Sequence, residues 1–243
     1  MIKMEDRTFL EKEPIGKLML KLAIPTVCAQ VINMLYNLVD RIYVGHIPGA
    51  GALALTGLGV CFPIIMIVSA FASLVSSGGA PRASIEMGKK NNDLAEKILG
   101  NCFTTQIFIS IALTVLLLIF GEELLLAFGA SDNTISYASD YLNIYTLGTI
   151  FVQLTLGMNA FITAQGFAKT SMLSVVIGAI CNIILDPVFI FAFGMGVKGA
   201  ALATIISQAV STIWVLSFLC GKKTALKIKK KNLKLEFKIV FSS

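Results

Sequence analysis

The chain has 243 residues, of which 56% are hydrophobic and only 14% charged, with a formal net charge of +6. A soluble domain carries about 25% charged residues, and the mean hydropathy here is +0.82, so a water-soluble globular fold is excluded. The apolar residues come in blocks close to the roughly 20 residues that cross a bilayer, and only helices fit runs this long.

Six spans are expected, over 18–44, 52–77, 98–120, 138–164, 172–193 and 200–220, so the fold class is an all-α membrane protein, a six-transmembrane-helix lobe. Residues 1–17 form an N-terminal segment with Glu5, Asp6, Arg7, Glu11 and Glu13. No short cleavable apolar region precedes the first span, so no signal peptide is expected. The first span carries Pro25, which should kink it and act as a hinge. Beyond it come Gln30, Asn33, Tyr36, Asn37 and Asp40, with Asn33, Tyr36, Asn37 and Asp40 near one face. The longest connection, 78–97, contains Pro81-Arg82 and Lys89-Lys90, and a short interfacial helix is expected there. The fourth span has Tyr141 near one end and Asn159 deeper. The fifth carries Asp186-Pro187, and the sixth carries Thr204. Residues 221–243 form a basic linker, and Phe237 to Ser243 resembles the approach to another span, as though the chain were part of a longer one.

Lysine and arginine set the orientation. The first segment, the second connection, the fourth connection and the segment after Cys220 hold 18 of the 20 basic residues, leaving Arg41 and Lys198 opposite. The expectation is a multi-pass protein of the plasma membrane with its N-terminus cytoplasmic. The basic linker reads as a positive-inside signal and not as a nucleic-acid patch, and its charge also suits anionic lipid headgroups. The five cysteines fall in apolar runs and form no C-x-x-C pair, so they are expected as small buried hydrophobes. His46 is the single histidine, which excludes a histidine-based metal site.

Asp186 organises the functional reading. A carboxylate at membrane depth costs about 2.5–3.5 kcal/mol on insertion scales and marks a functional site by default. Pro187 lacks an N–H and frees the carbonyl of Ile183 one turn earlier. At about 1.5 Å per residue, Asp40, Asp186 and Thr204 all fall roughly 7–12 Å from the outer boundary, and Asn182 lies one turn from Asp186 on the same face. Such a group suits one proton, or one sodium ion held with help from Asn182, Thr204 and the freed carbonyl. Loading changes the local charge by one unit, enough to bend a proline-weakened helix. Other roles stay open: Asp40 beside Arg41 as an interfacial pair, Asp186-Pro187 as a helix-end cap, Tyr141 as an interfacial anchor. Aromatic rings and amides also suit bulky organic cations.

No G-x-x-x-x-G-K-[ST], H-E-x-x-H or G-x-S-x-G occurs, so ATP drive and hydrolytic chemistry are not expected. An intramembrane aspartyl protease would need a Gly-x-Gly-Asp setting, whereas Ile183-Ile184-Leu185 precedes Asp186. The chain is not expected to be an enzyme.

Three stretches resemble the multidrug and toxic compound extrusion (MATE) family. They are Pro25 with Asn37-Leu38-Val39-Asp40-Arg41-Ile42-Tyr43-Val44-Gly45, Ala164-Gln165-Gly166-Phe167-Ala168-Lys169, and Asn182-Ile183-Ile184-Leu185-Asp186-Pro187 with Gly199-Ala200-Ala201-Leu202-Ala203-Thr204. The resemblance implies a twelve-helix antiporter of two six-helix lobes around a central cavity, with this chain the N-terminal lobe and a C-terminal six-helix lobe its partner. It implies a cation-coupling site at Asp40, Asn182, Asp186 and Thr204, hinges at Pro25 and Pro187, and cavity positions at Asn33, Tyr36, Tyr141 and Asn159. The expected function is proton- or sodium-coupled multidrug efflux of amphipathic, often cationic compounds, with no cofactor and no metal beyond a sodium ion. The alternatives are a lipid-linked sugar flippase of the same superfamily, whose cavity should be strongly basic, and a non-transporting six-helix fragment or homodimer.

Overall fold

A computed structural model describes residues 14–236, and these are helical with no strand among them. Helix α1 covers Ile15–Gly45, α2 Gly51–Gly88, α3 Asn92–Ala127, α4 Ile135–Leu147, α5 Thr149–Ala164, α6 Ala168–Pro187 and α7 Val197–Cys220. A π-helical turn, Val188–Ala192, continues α6, and a 3-10 turn, Lys230–Asn232, lies in the segment after α7. Five helices are long and apolar enough to cross a membrane, and the bent pair α4–α5 passes the same test together, for up to six spans. The expected extra carboxy-terminal approach, Phe237 to Ser243, and most of the N-terminal segment lie outside the described residues.

The connection over 78–97 differs from expectation. No separate interfacial helix forms; α2 runs on through Pro81 to Gly88, and α3 begins at Asn92. Pro81 is exposed and lines a pocket with Ala160, Thr163 and Ala164 of α5, and an isolated proline kinks a helix without having to end it. Asn91 starts α3, its side chain accepting from the Leu94 amide at 3.4 Å, and Asp93 sits in the first turn against the helix dipole. With 38 and 36 residues, α2 and α3 are each about 55 Å long. They overrun a hydrocarbon core of about 30 Å and stand out into the headgroup region.

The fourth span is broken. Helices α4 and α5 meet at Gly148 with a 58° bend. A Cβ there would lie 2.4 Å from Ile205 Cγ1, so glycine admits α7 into the elbow. Apolar packing is split into two layers. One gathers Val44, Leu58, Ile64, Leu117, Tyr141, Leu142 and Val197; the other gathers Ile98, Leu99, Met158, Phe161, Val215 and Leu219. Between them the helices are joined by polar side chains. Gln106 Nε2 donates to the Ala72 carbonyl at 3.0 Å, Gln153 Nε2 to that of Val68 at 2.7 Å, and Ser211 Oγ to that of Ser174 at 2.9 Å. Between apolar surfaces, such bonds and small residues hold spans together where lipid removes the hydrophobic drive.

The cysteines are less buried than expected. Cys61 is buried, but Cys28 and Cys220 are exposed and Cys102 and Cys181 half-buried. Helix α1 explains part of this, because it packs chiefly on α6 and leaves most of its surface uncovered.

Candidate functional site

Packing of α1 on α6 brings two carboxylates together. Asp40 is 7% exposed and Asp186 is fully buried, and their carboxyls lie within hydrogen-bonding reach of each other. Asn182 Nδ2 donates to Asp186 Oδ1 at 3.2 Å, as the i, i+4 spacing requires. Asp40 Oδ1 and Asp186 Oδ2 are buried and receive no donor from the protein. A buried charge left without a partner is among the costliest features a fold can carry, so this pair is built for something that comes and goes.

Arg41 sends its guanidinium over the Phe62 ring of α2, its carbon 5.2 Å from the centroid, while its charge still acts on Asp40 from a distance. The helix-end role for Asp186 fails, because α6 continues through Pro187 into the π-helical turn. That turn lodges against α7: a Cβ on Gly199 would come 2.7 Å from the Phe189 carbonyl carbon.

A cavity of about 420 Å³ opens next to the carboxylates and shares Tyr36, Asn182 and Thr204 with them. Its lining comes from five helices, with Ser73 the contribution of α2. Thr26, Gln30, Asn33 and Tyr36 come from α1, Thr155, Asn159 and Thr163 from α5, Asn182 from α6, and Thr204, Ser207, Gln208 and Ser211 from α7. Among the described residues, no Lys, Arg, Asp or Glu lines it. Four buried atoms around it, Asn159 Oδ1, Asn182 Oδ1, Ser207 Oγ and Gln208 Oε1, have no protein partner, while Leu156, Val175, Ala160 and Ala179 supply apolar wall.

The expected residues therefore separate. Asp40, Asn182 and Asp186 are brought together, with Thr204 nearby on the cavity wall. Asn33, Tyr36 and Asn159 line the cavity. Tyr141 does not: it is 4% exposed, stacked on Tyr145 with centroids 6.1 Å apart, and its hydroxyl is within reach of Thr204. It is neither a wall residue nor an interfacial anchor, because α5 bends away from α4 and carries the wall without it. Asn37 turns back on its own helix, donating to the Asn33 carbonyl at 2.6 Å. Pro25 is buried within α1.

Sequence reasoning missed the polar face of α7. Thr204, Ser207, Gln208 and Ser211 stand at i, i+3, i+4 and i+7, one helical stripe, and Thr155, Asn159 and Thr163 repeat every four residues on α5. That periodicity was a usable signal, obscured because single hydroxyls are common in membrane helices.

The fold and site define a polytopic helical membrane protein whose spans enclose a polar, uncharged chamber beside a buried pair of acids. Residues 25–188 match the MatE family model, and the chain belongs to that family. It is 27% identical over 233 residues to the multidrug export protein MepA of Staphylococcus haemolyticus, covering 96% of this chain and 51% of MepA. Among solved structures it is similar to an outward-facing multidrug resistance MATE family transporter of the MOP superfamily, with a TM-score of 0.84 and 26% identity, covering 92% of this chain and 49% of that one. A MOP superfamily transporter from Pyrococcus furiosus, described as having reversed binding-pocket polarity that suggests a different function, matches with a TM-score of 0.88 and 25% identity, covering 98% of this chain and 52% of the other. The chain spans about half the length of the curated relatives it matches. Those relatives are transporters, not enzymes.

Proposed function

We propose that the chain is one lobe of a cation-coupled exporter of amphipathic, often cationic organic compounds. The observation that carries this reading is the facing pair Asp40 and Asp186, each with a buried oxygen that no protein group satisfies, beside a chamber that shares their neighbours. Two like charges about 4 Å apart repel by about 4 kcal/mol at an effective dielectric of about 20. One proton or one sodium ion between the acids removes that repulsion, and Asn182 and Thr204 offer further oxygens to a metal cation.

The ion enters from outside and loads the pair. Relief of repulsion lets α1 close on α6, and Pro25 supplies the weak point at which α1 bends and reshapes the chamber. The guest then leaves outward, and alternating access against a second six-helix lobe completes the cycle. An uncharged wall rich in acceptor oxygens suits a cation that must be released again, since it lacks the fixed charge that would trap it. The same wall argues against a lipid-linked sugar, whose pyrophosphate needs lysine or arginine, and the lining has none.

The test is efflux of a fluorescent organic cation from cells expressing the gene in its natural reading frame. Asp40→Asn and Asp186→Asn should each lower export at least about tenfold, roughly 1.4 kcal/mol or more of lost coupling, with the protein still in the membrane. Unchanged export by both variants overturns the reading.

A further inference from the structure

The segment after α7 is not a loose tether. Gln165, which caps α5, uses one oxygen to accept from Thr224 Oγ1 at 2.7 Å and from the amides of Ala225 and Leu226, both at 2.9 Å. The Ile228 amide folds back to the Leu219 carbonyl at 3.2 Å. Farther along, Lys229 Nζ meets the buried carboxylate of Glu96 at 2.6 Å. Thr104 Oγ1 donates to the Leu233 carbonyl at 2.9 Å, and the Glu236 amide donates to Asn101 Oδ1 at 2.7 Å. Gly100 is the seat for Asn232, since a Cβ there would lie 2.4 Å from the Asn232 carbonyl oxygen. Thr224, Leu226 and Asn232 are buried, whereas Lys222, Lys223, Lys230, Lys231 and Lys234 are exposed.

We infer that this strap is a built docking platform for anionic phospholipid headgroups. Its backbone is pinned to the end of α5 at Gln165 and along α3 from Glu96 to Thr104, and five lysines stay exposed along it. The strap starts at the end of α5 by Gln165 and meets α3 at Glu96, just before the apolar run that begins at Ile98, which sets it at the membrane boundary. The nearby acids do not cancel the charge. Glu86 pairs with Lys89, Glu96 with Lys229 and Glu236 with Lys97, and Asp93 faces the amino end of α3. Lysine ammonium groups bind phosphate as compact point charges without demanding one geometry, which suits a shifting layer of phosphodiesters. Phosphate headgroups are already concentrated at this depth, so the membrane and not a soluble polyphosphate is the occupant.

The full chain is reconstituted in phosphatidylcholine vesicles holding a minor fraction of phosphatidylglycerol, extracted, and assayed for the lipid that stays bound. The native chain should retain phosphatidylglycerol several-fold above its bulk fraction. Replacing the five exposed lysines together by glutamine should return retention to the bulk ratio, and replacing them by arginine should preserve it. Gln165→Ala keeps every lysine but frees the strap, and should also lower retention several-fold. Enrichment that survives the glutamine replacements, or that survives Gln165→Ala, overturns the proposal. So does full displacement of the lipid by inorganic pyrophosphate, which would assign the lysines to a soluble ligand.

Discussion

Asp40 and Asp186 illustrate how much one contact decides. Each is costly alone in an apolar run, and together they form a site because α1 has no large partner other than α6. Asn for Asp keeps the shape and removes the charge, so the predicted loss of export in Asp186→Asn should come without loss of folded protein, measured by membrane yield and thermal midpoint. Gly199 supports the same site from behind. Gly199→Ala pushes a methyl group into the Phe189 backbone, just beyond Pro187, and should lower stability by about 1–3 kcal/mol, read as a fall in thermal midpoint. Glu96 is the buried charge on the opposite layer. Lys229→Met leaves it unpaired and should cost about 1–3 kcal/mol, with Glu96→Gln in the same chain recovering part of the loss.

At the scale of elements, α1 is the part able to move. It is apolar but little covered, with Met19, Leu20, Met34 and Leu35 each more than half exposed, and it holds Pro25. Pro25→Ala restores a backbone donor and stiffens the helix. The expected outcome is unchanged or higher thermal stability with clearly slower efflux; equal efflux rates would separate the hinge from the transport cycle. Helices α2, α3, α5 and α7 behave oppositely. They are tied by buried glutamines, threonines and serines, and by glycines such as Gly148 that admit a neighbour. The bend at Gly148 matters most for function, since it sets α5 so that Thr155 bonds α7 while Asn159 and Thr163 bond Ser171 of α6 beside the chamber.

For the whole molecule, charge and apolar surface make separate predictions. The basic bias predicts the N-terminus and the strap on one side of the membrane and the Lys198–Asp140 pair, 3.3 Å apart, on the other. Cysteine introduced at Ser131, in a background without native cysteines, should react with a membrane-impermeant maleimide in intact cells. Cysteine at Lys231 should react only after permeabilisation, and the reverse pattern would invert the orientation. The uncovered face of α1 is also too large for water: a monomer rarely exposes an apolar patch beyond a few hundred Å². In a longer protein built like the relatives, a second lobe would meet part of that face, a proposal that crosslinking from Met34 tests.

The six spans, the basic side, the exclusion of soluble and hydrolytic classes and the two acids were all legible in the chain, because length, hydropathy and charge are additive along a sequence and depth follows at a fixed rise per residue. Depth alone suggested Asp40, Asp186 and Thr204 at a similar level, with Asn182 one turn away on the same face as Asp186. Rotation about each helix axis is not additive; it is set by which small residues and polar hooks meet across spans, so only the tertiary structure could send Tyr141 behind the wall, carry α2 unbroken past Pro81, bend the fourth span at Gly148 and gather the hydroxyl stripe of α7. The linker shows the same division. Its lysines were plain in the sequence, but whether they hang free or stand on a pinned strap depends on Gln165, Glu96, Gly100 and Asn101, residues distant along the chain whose meeting only the packing of α3, α5 and α7 could bring about.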